Sequence, residues 1–225
     1  QEQLVASETM VAIGEMTSVV AHGIRNPLAS IRSTAELALD EQTLSKEPAE
    51  DIVAEADRLE AWVRELLAYS RPASDKWVPL EINRVMKAVL KGFERDLEKH
   101  GIQHVLNLEE PPPMINAEES FLRHVIANIF SNAIEAMPNG GLLTITIRTN
   151  AKREHIEIII EDTGIGISNE QIKKMFKPFF TTKPKGLGVG LSLAKRIIER
   201  HGGTIQVASK KNKGTTVTMT IPVSR

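Results

Sequence analysis

Apolar residues at Ile13, Met16, Val20, Ile24, Leu28, Ile31, Ala35 and Leu39 recur every three or four positions, the spacing of one helical stripe. A second set at Ile52, Ala56, Leu59, Val63, Leu66 and Ser70 alternates steps of four and three, which is a coiled-coil seam. Between them, residues 40–47 are polar, and Pro48 suits the first turn of a new helix. Two long amphipathic helices joined by a short loop make a hairpin. One hairpin has too little core to stand alone, so the pattern predicts a homodimer closed as a four-helix bundle over residues 1–70. The chain opens directly in helical pattern at Leu4 and Val5, which reads as a cut through a longer helix.

His22 lies off the first stripe, roughly 200° around the helix from both Val20 and Ile24. When the stripe is buried, the imidazole faces outward. A lone exposed histidine usually has no task beyond solvation. Pro27 stands five residues on, where it removes a backbone donor and clashes with the carbonyl of Gly23. Such a bend beside an exposed imidazole suits access to the ring, although a kink can also be architectural.

The remainder of the chain changes character. Residues 70–79 contain two prolines and no helical period, marking a linker over 71–79 and a domain from 80 to 225. Helical pattern covers about 82–99, 118–137 and 191–201. Strand patterns cover 102–108, the alternations through Ile145, Ile158 and Met219, and a stretch near 204–208. The fold class is therefore α+β, a mixed or antiparallel sheet with helices on one face. With 28 basic and 29 acidic residues the net charge is −1, so no global field favours nucleic acid or an anionic membrane. Cysteine is absent, which excludes disulfides and thiolate metal sites. No apolar run approaches the ~18–20 residues of a membrane span.

Four features of the second domain converge on a nucleotide. The predicted helix 118–137 is apolar on nearly every side, yet His124, Asn128 and Asn132 recur along it every four residues. Buried amides without partners cost about 1–3 kcal/mol each, so the stripe lines a cavity or else caps neighbouring loops. Its oxygens suit Mg²⁺, which takes one or two protein oxygens beside phosphates and water. Asp162-Thr163-Gly164-Ile165-Gly166 follows a strand, placing a carboxylate at a tight turn where it can accept a hydrogen bond from an exocyclic amine such as adenine N6. An ordinary Asp-Gly turn explains the same residues. Gly186, Gly188 and Gly190 precede Leu191 at the opening of a helix, a ready anion site. Between these lies Met175 to Gly186, with Phe176, Phe179 and Phe180 among Lys177, Lys183 and Lys185, either a lid or a core patch.

His22, Arg25, Asn26, Pro27 and Leu28 resemble the phosphoacceptor box of the sensor histidine kinases of two-component signalling, His-Glu/Asp-x-Arg/Lys-Asn-Pro-Leu. The four later features, in order and spacing, resemble the Bergerat ATP-binding domain of histidine kinases, gyrase-type ATPases, Hsp90 and MutL. The run from Phe176 to Lys183 before the glycine box is most similar to the nitrogen-regulator-type kinases. The resemblance implies a Bergerat α/β sandwich binding ATP and Mg²⁺. Asn132 would coordinate the metal, with Asn128 and His124 beside the phosphates. Asp162 would hold adenine in a pocket shaped by Gly164 and Gly166. Lys183, Gly186, Gly188, Gly190 and Leu191 would meet the phosphates, and Thr216 would belong to the family's last small box near the base. It further implies a cytoplasmic core whose parent is either cytosolic or an inner-membrane sensor.

The implied chemistry is attack by a ring nitrogen of His22 on the γ-phosphate of ATP, then transfer to an aspartate of a separate response-regulator receiver domain. Asn26 matches the position thought to orient water in receiver dephosphorylation. Gly23 departs from the family, which carries an acidic residue there. Losing a general base typically costs about 10²–10⁴-fold, but an imidazole with a pKa near 6.5 is already mostly neutral at pH 7–7.5. The expectation is slowed autophosphorylation. The alternatives are a nucleotide-binding pseudokinase or receiver-binding scaffold, and a Bergerat ATPase or protein-serine kinase of another lineage.

Overall fold

The computed structural model describes residues 24, 26–36, 50–57, 59–60, 77–183 and 186–224. The chain divides into two compact units, Gln1–Pro72 with Thr181–Val189, and Ala73–Phe180 with Gly190–Arg225.

In the first unit, residues 24 and 26–36 (α1) and residues 50–57 with 59–60 (α2) are helical. Ile24, Ile31, Ala35, Ile52 and Leu59 of the two predicted seams are half-buried. Leu28, at the centre of the first seam, remains 51% exposed. Pro27 is buried within the helix. Arg32 and Glu36, one turn apart, form an exposed 2.7 Å ion pair, worth about 0.3–0.5 kcal/mol.

The second unit runs β1 (Val78–Glu81), α3 (Ile82–Lys99), β2 (Ile102–Leu108), β3 (Met114–Ala117), α4 (Glu119–Ala136), β4 (Gly141–Thr149), β5 (His155–Asp162), α5 (Asn169–Ile172), α6 (Gly190–Arg200), β6 (Thr204–Lys210) and β7 (Gly214–Pro222). The main sheet has strand order β2-β4-β5-β7-β6 and is mixed, because β2 pairs parallel to β4 and every other pairing is antiparallel. A separate two-stranded sheet joins β1 to β3. Its β1 takes the last two residues of the predicted linker. Pro79 hid the strand, yet it fits, because a two-stranded sheet has an edge where no proline N–H is needed.

Alternation decides the layers. Leu143, Ile145, Ile147, Ile156, Ile158, Ile160, Met219 and Ile221 are buried on one sheet face. Leu122, Val125, Ile126, Ile129 and Phe130 of α4 and Leu193, Ala194, Ile197 and Ile198 of α6 are buried as well, so this face is the one that the helices cover. Full burial of each such side chain contributes about 1.5–3 kcal/mol. On the other face Thr144, Thr146, Thr216, Thr218 and Thr220 are only half-buried. β-branched hydroxyl residues suit a wet pleated surface.

His201 follows the last turn of α6 and is 6% exposed. Its Nδ1 lies 2.7 Å from the Ile197 carbonyl oxygen and donates to it. Its Nε2 is buried with no hydrogen-bond partner among the described residues. Burial pushes the imidazole pKa down, and Arg200 adds to this, while the Ile197 carbonyl and Glu118 oppose it. A folded-state pKa below the unfolded value near 6.5 means that the unfolded chain takes up the proton first as pH falls. Stability is therefore complete above pH 6.5 and is lost as pH drops through the folded pKa. Thermal melts between pH 7.5 and 5 are expected to show a shallower acid decline for His201→Asn than for the parent chain. Equal slopes would show that this ring does not enter the fold neutral.

Candidate nucleotide site

Asp162 ends β5, the middle strand of the sheet. Its Oδ1 accepts from the Gly164 N–H at 2.9 Å and from the Thr215 N–H at 3.2 Å. Both backbone donors converge on one oxygen. The second oxygen has no hydrogen-bond partner among the described residues, which suits it to accept from a ligand. Burial raises the Asp162 pKa, and the two backbone donors pull it back.

The turn after Asp162 is fixed by close packing. A Cβ on Gly164 would lie 2.4 Å from the Ala136 carbonyl oxygen, and Ile165 N–H donates to that same carbonyl at 2.9 Å. Gly166, at φ +65°, presses on the carbonyl of Lys210, with room for a Cβ only at 2.2 Å. Both glycines therefore dock the turn, one onto the end of α4 and the other onto the end of β6. Gly164→Ala is expected to cost about 1–3 kcal/mol, because the obstacle is backbone and cannot rotate away. Urea denaturation measures it, and an unchanged midpoint would contradict the packing account.

Ala136 closes the helix that carries the amide stripe. Asn132 Nδ2 donates to Asn128 Oδ1 at 3.1 Å. A Cβ on Gly190 would approach Asn128 Nδ2 to 2.0 Å, so the first residue of α6 lies directly against this amide. The structure thus brings Asn128, Asn132 and Gly190 together, with the Asp162 turn one helical turn further along α4. His124, four residues before Asn128, is half-buried, and its Nε2 has no hydrogen-bond partner among the described residues. Burial lowers its pKa.

The β5–β7 register puts the two threonines of Gly214-Thr215-Thr216 on opposite sheet faces. Asp162 pairs with Thr215, whereas Thr216 pairs with Glu161. Paired residues share a sheet face and neighbours alternate, so Thr215, not Thr216, stands beside Asp162. Which of the two threonines of Gly214-Thr215-Thr216 shares a face with Asp162 is not readable from the sequence alone, because it depends on the register between distant strands. Gly214 at φ +103° permits the approach, since a Cβ there would meet the Asp162 carbonyl at 1.9 Å. An open depression of about 510 Å³ borders residues of both rows, among them Asp162, Thr215, Glu161, Thr216, Lys210 and Lys213.

The loop before the glycine box is neither fully buried nor bare. Met175 is buried, while Phe176, Phe179 and Phe180 are half-buried. Lys195 Nζ sits 5.7 Å from the centre of the Phe176 ring, and Phe179 adopts φ +64°. Lys183, Gly186 and Gly188 belong to the segment that groups with the first unit. There Thr181 Oγ1 accepts from the Lys183 N–H at 3.0 Å, and a Cβ on Gly186 would lie 2.8 Å from the same oxygen. Leu191 is half-buried near the start of α6. Asn26 is exposed on α1, and His22, Gly23 and Arg25 lie outside the described residues.

The carboxylate with one oxygen held by backbone, the asparagine pair and the glycine pressed on that pair are thus gathered along α4. Residues 117–225 match the family model of the histidine kinase-, DNA gyrase B- and HSP90-like ATPases, and residues 12–75 match the His Kinase A phosphoacceptor domain. The chain is similar to sensor histidine kinase ZraS of Escherichia coli K12, with 34% identity over 227 residues, covering 100% of this chain and 48% of ZraS. Sporulation kinase E of Bacillus subtilis is 32% identical over 226 residues, covering 99% of this chain and 30% of that kinase. Among solved structures, the catalytic domain of histidine kinase ThkA aligns with TM-score 0.59 and 30% identity, over 65% of this chain and 95% of that domain. ThkA in complex with the response regulator protein TrrA aligns with TM-score 0.81 and 29% identity, over 97% of this chain and 64% of that one. The chain belongs to the sensor histidine kinases. It spans 48% of the length of ZraS and 30% of that of sporulation kinase E.

Proposed function

We propose that this chain is the phosphotransfer and ATP-binding core of a sensor kinase, which phosphorylates His22 from ATP and passes the phosphoryl group to an aspartate of a response regulator. The observation that carries this reading is the docking of the Asp162 turn onto the end of α4, the helix that carries the Asn128–Asn132 pair. In the nucleotide site, the unengaged oxygen of Asp162 accepts from the adenine amine, with Thr215 beside it. The side-chain carbonyl oxygen of Asn132, a hard ligand of the kind Mg²⁺ prefers, is the atom that would hold the metal. Bound Mg²⁺ would neutralise charge on the phosphates during transfer. The N-terminal N–H groups of α6, beginning at Gly190, favour the same anionic group. His22, within the matched phosphoacceptor region, supplies the neutral ring nitrogen that attacks the γ-phosphate, and ADP leaves.

The exposed Leu28, on a seam of half-buried neighbours, supports a dimer in which a second copy covers it. The response regulator held by ThkA supports a receiver domain as the partner. Among the described residues no helix is long and apolar enough to cross a membrane. The test is incubation with γ-labelled Mg-ATP. The protein is expected to take up acid-labile, base-stable label that a receiver domain removes. Gly23→Glu is expected to raise the uptake rate by about 10²-fold, by restoring a carboxylate next to the imidazole. Bound ATP without any such label would sink the kinase reading.

A further inference from the structure

A row of side chains across the sheet carries a hydroxyl network that the chemistry above does not use. Ser209, Thr215, Asp162 and Leu143 are direct cross-strand partners, so they line up over β6, β7, β5 and β4 on the helix-covered face. Thr215 stands between Ser209 and the carboxylate proposed to meet the base. Ser209 Oγ accepts from the Ile167 N–H at 2.8 Å, lies 2.8 Å from the Gly214 carbonyl oxygen, and lies 2.9 Å from Thr215 Oγ1. The loop after Asp162 is fastened to the same β6–β7 hairpin a second time, where the Asn212 N–H donates to the Ile165 carbonyl at 2.7 Å.

Counting protons fixes which way each bond runs. A hydroxyl has one proton to give and two lone pairs, and a carbonyl can only accept. The bond to Gly214 therefore uses the Ser209 proton. Ser209 has only lone pairs left for its neighbour, so the Thr215 hydroxyl donates to Ser209. The opposite choice, Ser209 donating to Thr215, would set two acceptors against each other 2.8 Å apart at Gly214. With its proton committed, Thr215 Oγ1 is an acceptor only, and so is the second oxygen of Asp162. An exocyclic amine has protons for such a pair of atoms, whereas an oxo group in its place meets lone pairs and a negative charge. We propose that Ser209 is a positioning residue for base selectivity: by taking the Thr215 proton it keeps the wall beside Asp162 without a donor, so that a 6-amino purine is accepted and a 6-oxo purine refused. This rests on the nucleotide reading above.

The test is competition of ATP and of ITP, which carries an oxo group in place of the amine, against a fluorescent ATP analogue bound to the full chain. The parent chain is expected to prefer ATP by about 10²-fold or more. In Ser209→Ala the Thr215 proton is released and can turn toward an oxo group. The preference is then expected to shrink about tenfold, through tighter binding of ITP, with ATP affinity changed by less than about threefold. Thr215→Val, close in shape but without the hydroxyl, is expected to shrink the preference too. Adding Ser209→Ala to it is expected to change the preference no further, because Ser209 acts through that hydroxyl. An unchanged preference in either single variant would overturn the proposal. So would an equal loss of both nucleotides in Ser209→Ala, which marks a merely structural role, or a Ser209→Ala effect that persists beside Thr215→Val. A parent chain that binds ATP and ITP alike would end the proposal and leave the nucleotide reading standing, whereas one that binds neither would end both.

Discussion

Asp162→Asn is expected to lose ATP affinity by more than about 10²-fold while the protein stays folded. The two effects separate because the carboxylate uses its oxygens differently. Oδ1 accepts from Gly164 and Thr215, and an asparagine carbonyl can accept both bonds in the same place. The other oxygen becomes an NH₂ group, which donates where the adenine amine also donates. Replacing a charge-assisted acceptor by an opposed donor costs about 3 kcal/mol or more at a half-buried site. Stability moves the other way. Burial raises the Asp162 pKa, so the charged form is a burden in the folded state, and a neutral amide removes it. Titration with a fluorescent ATP analogue and a thermal melt on the same sample check both halves. Unchanged affinity would remove Asp162 from the base site, and a collapsed melt would make its role structural.

His22→Ala is expected to abolish acid-labile label, by on the order of 10³-fold or more, with ATP affinity unchanged. No other group in the phosphoacceptor box is a neutral nitrogen nucleophile at pH 7: Arg25 is always charged and the Asn26 amide is not nucleophilic. The residues proposed to hold the nucleotide all lie outside that box, so the two losses must not travel together. Label surviving in His22→Ala at full rate would direct attention to a hydroxyl acceptor, and acid-stable phosphate would confirm that shift.

Much of the fold is legible in the sequence, for identifiable reasons. The helices Ile82–Lys99, Glu119–Ala136 and Gly190–Arg200 match the expected segments within a residue or two, because Gly101, Pro138 and Gly202 punctuate their ends. The five strands of the main sheet announce themselves by alternation or short β-rich runs. The small β1–β3 sheet did not, since four-residue strands bearing Pro79 or preceded by three prolines carry no period. At the site, residue types were readable, but their tasks were only partly so. Asp162 was marked by its glycines, yet those glycines serve contacts with Ala136 and Lys210 that no local pattern encodes. Thr215 and Thr216 differ only by register. The stack of the Trp77 indole on the His201 imidazole joins residues more than a hundred positions apart, beyond any spacing rule.

β5 is hydrogen-bonded along both sides, to β4 and to β7, while β2 and β6 each keep an open edge. Amide protons in such a central strand exchange with solvent only when the whole domain opens, whereas edges and turns open locally and often. The carboxylate proposed to read the base thus closes the central strand of the sheet. On the proposed reading, base recognition leans on a strand that persists as long as the domain does.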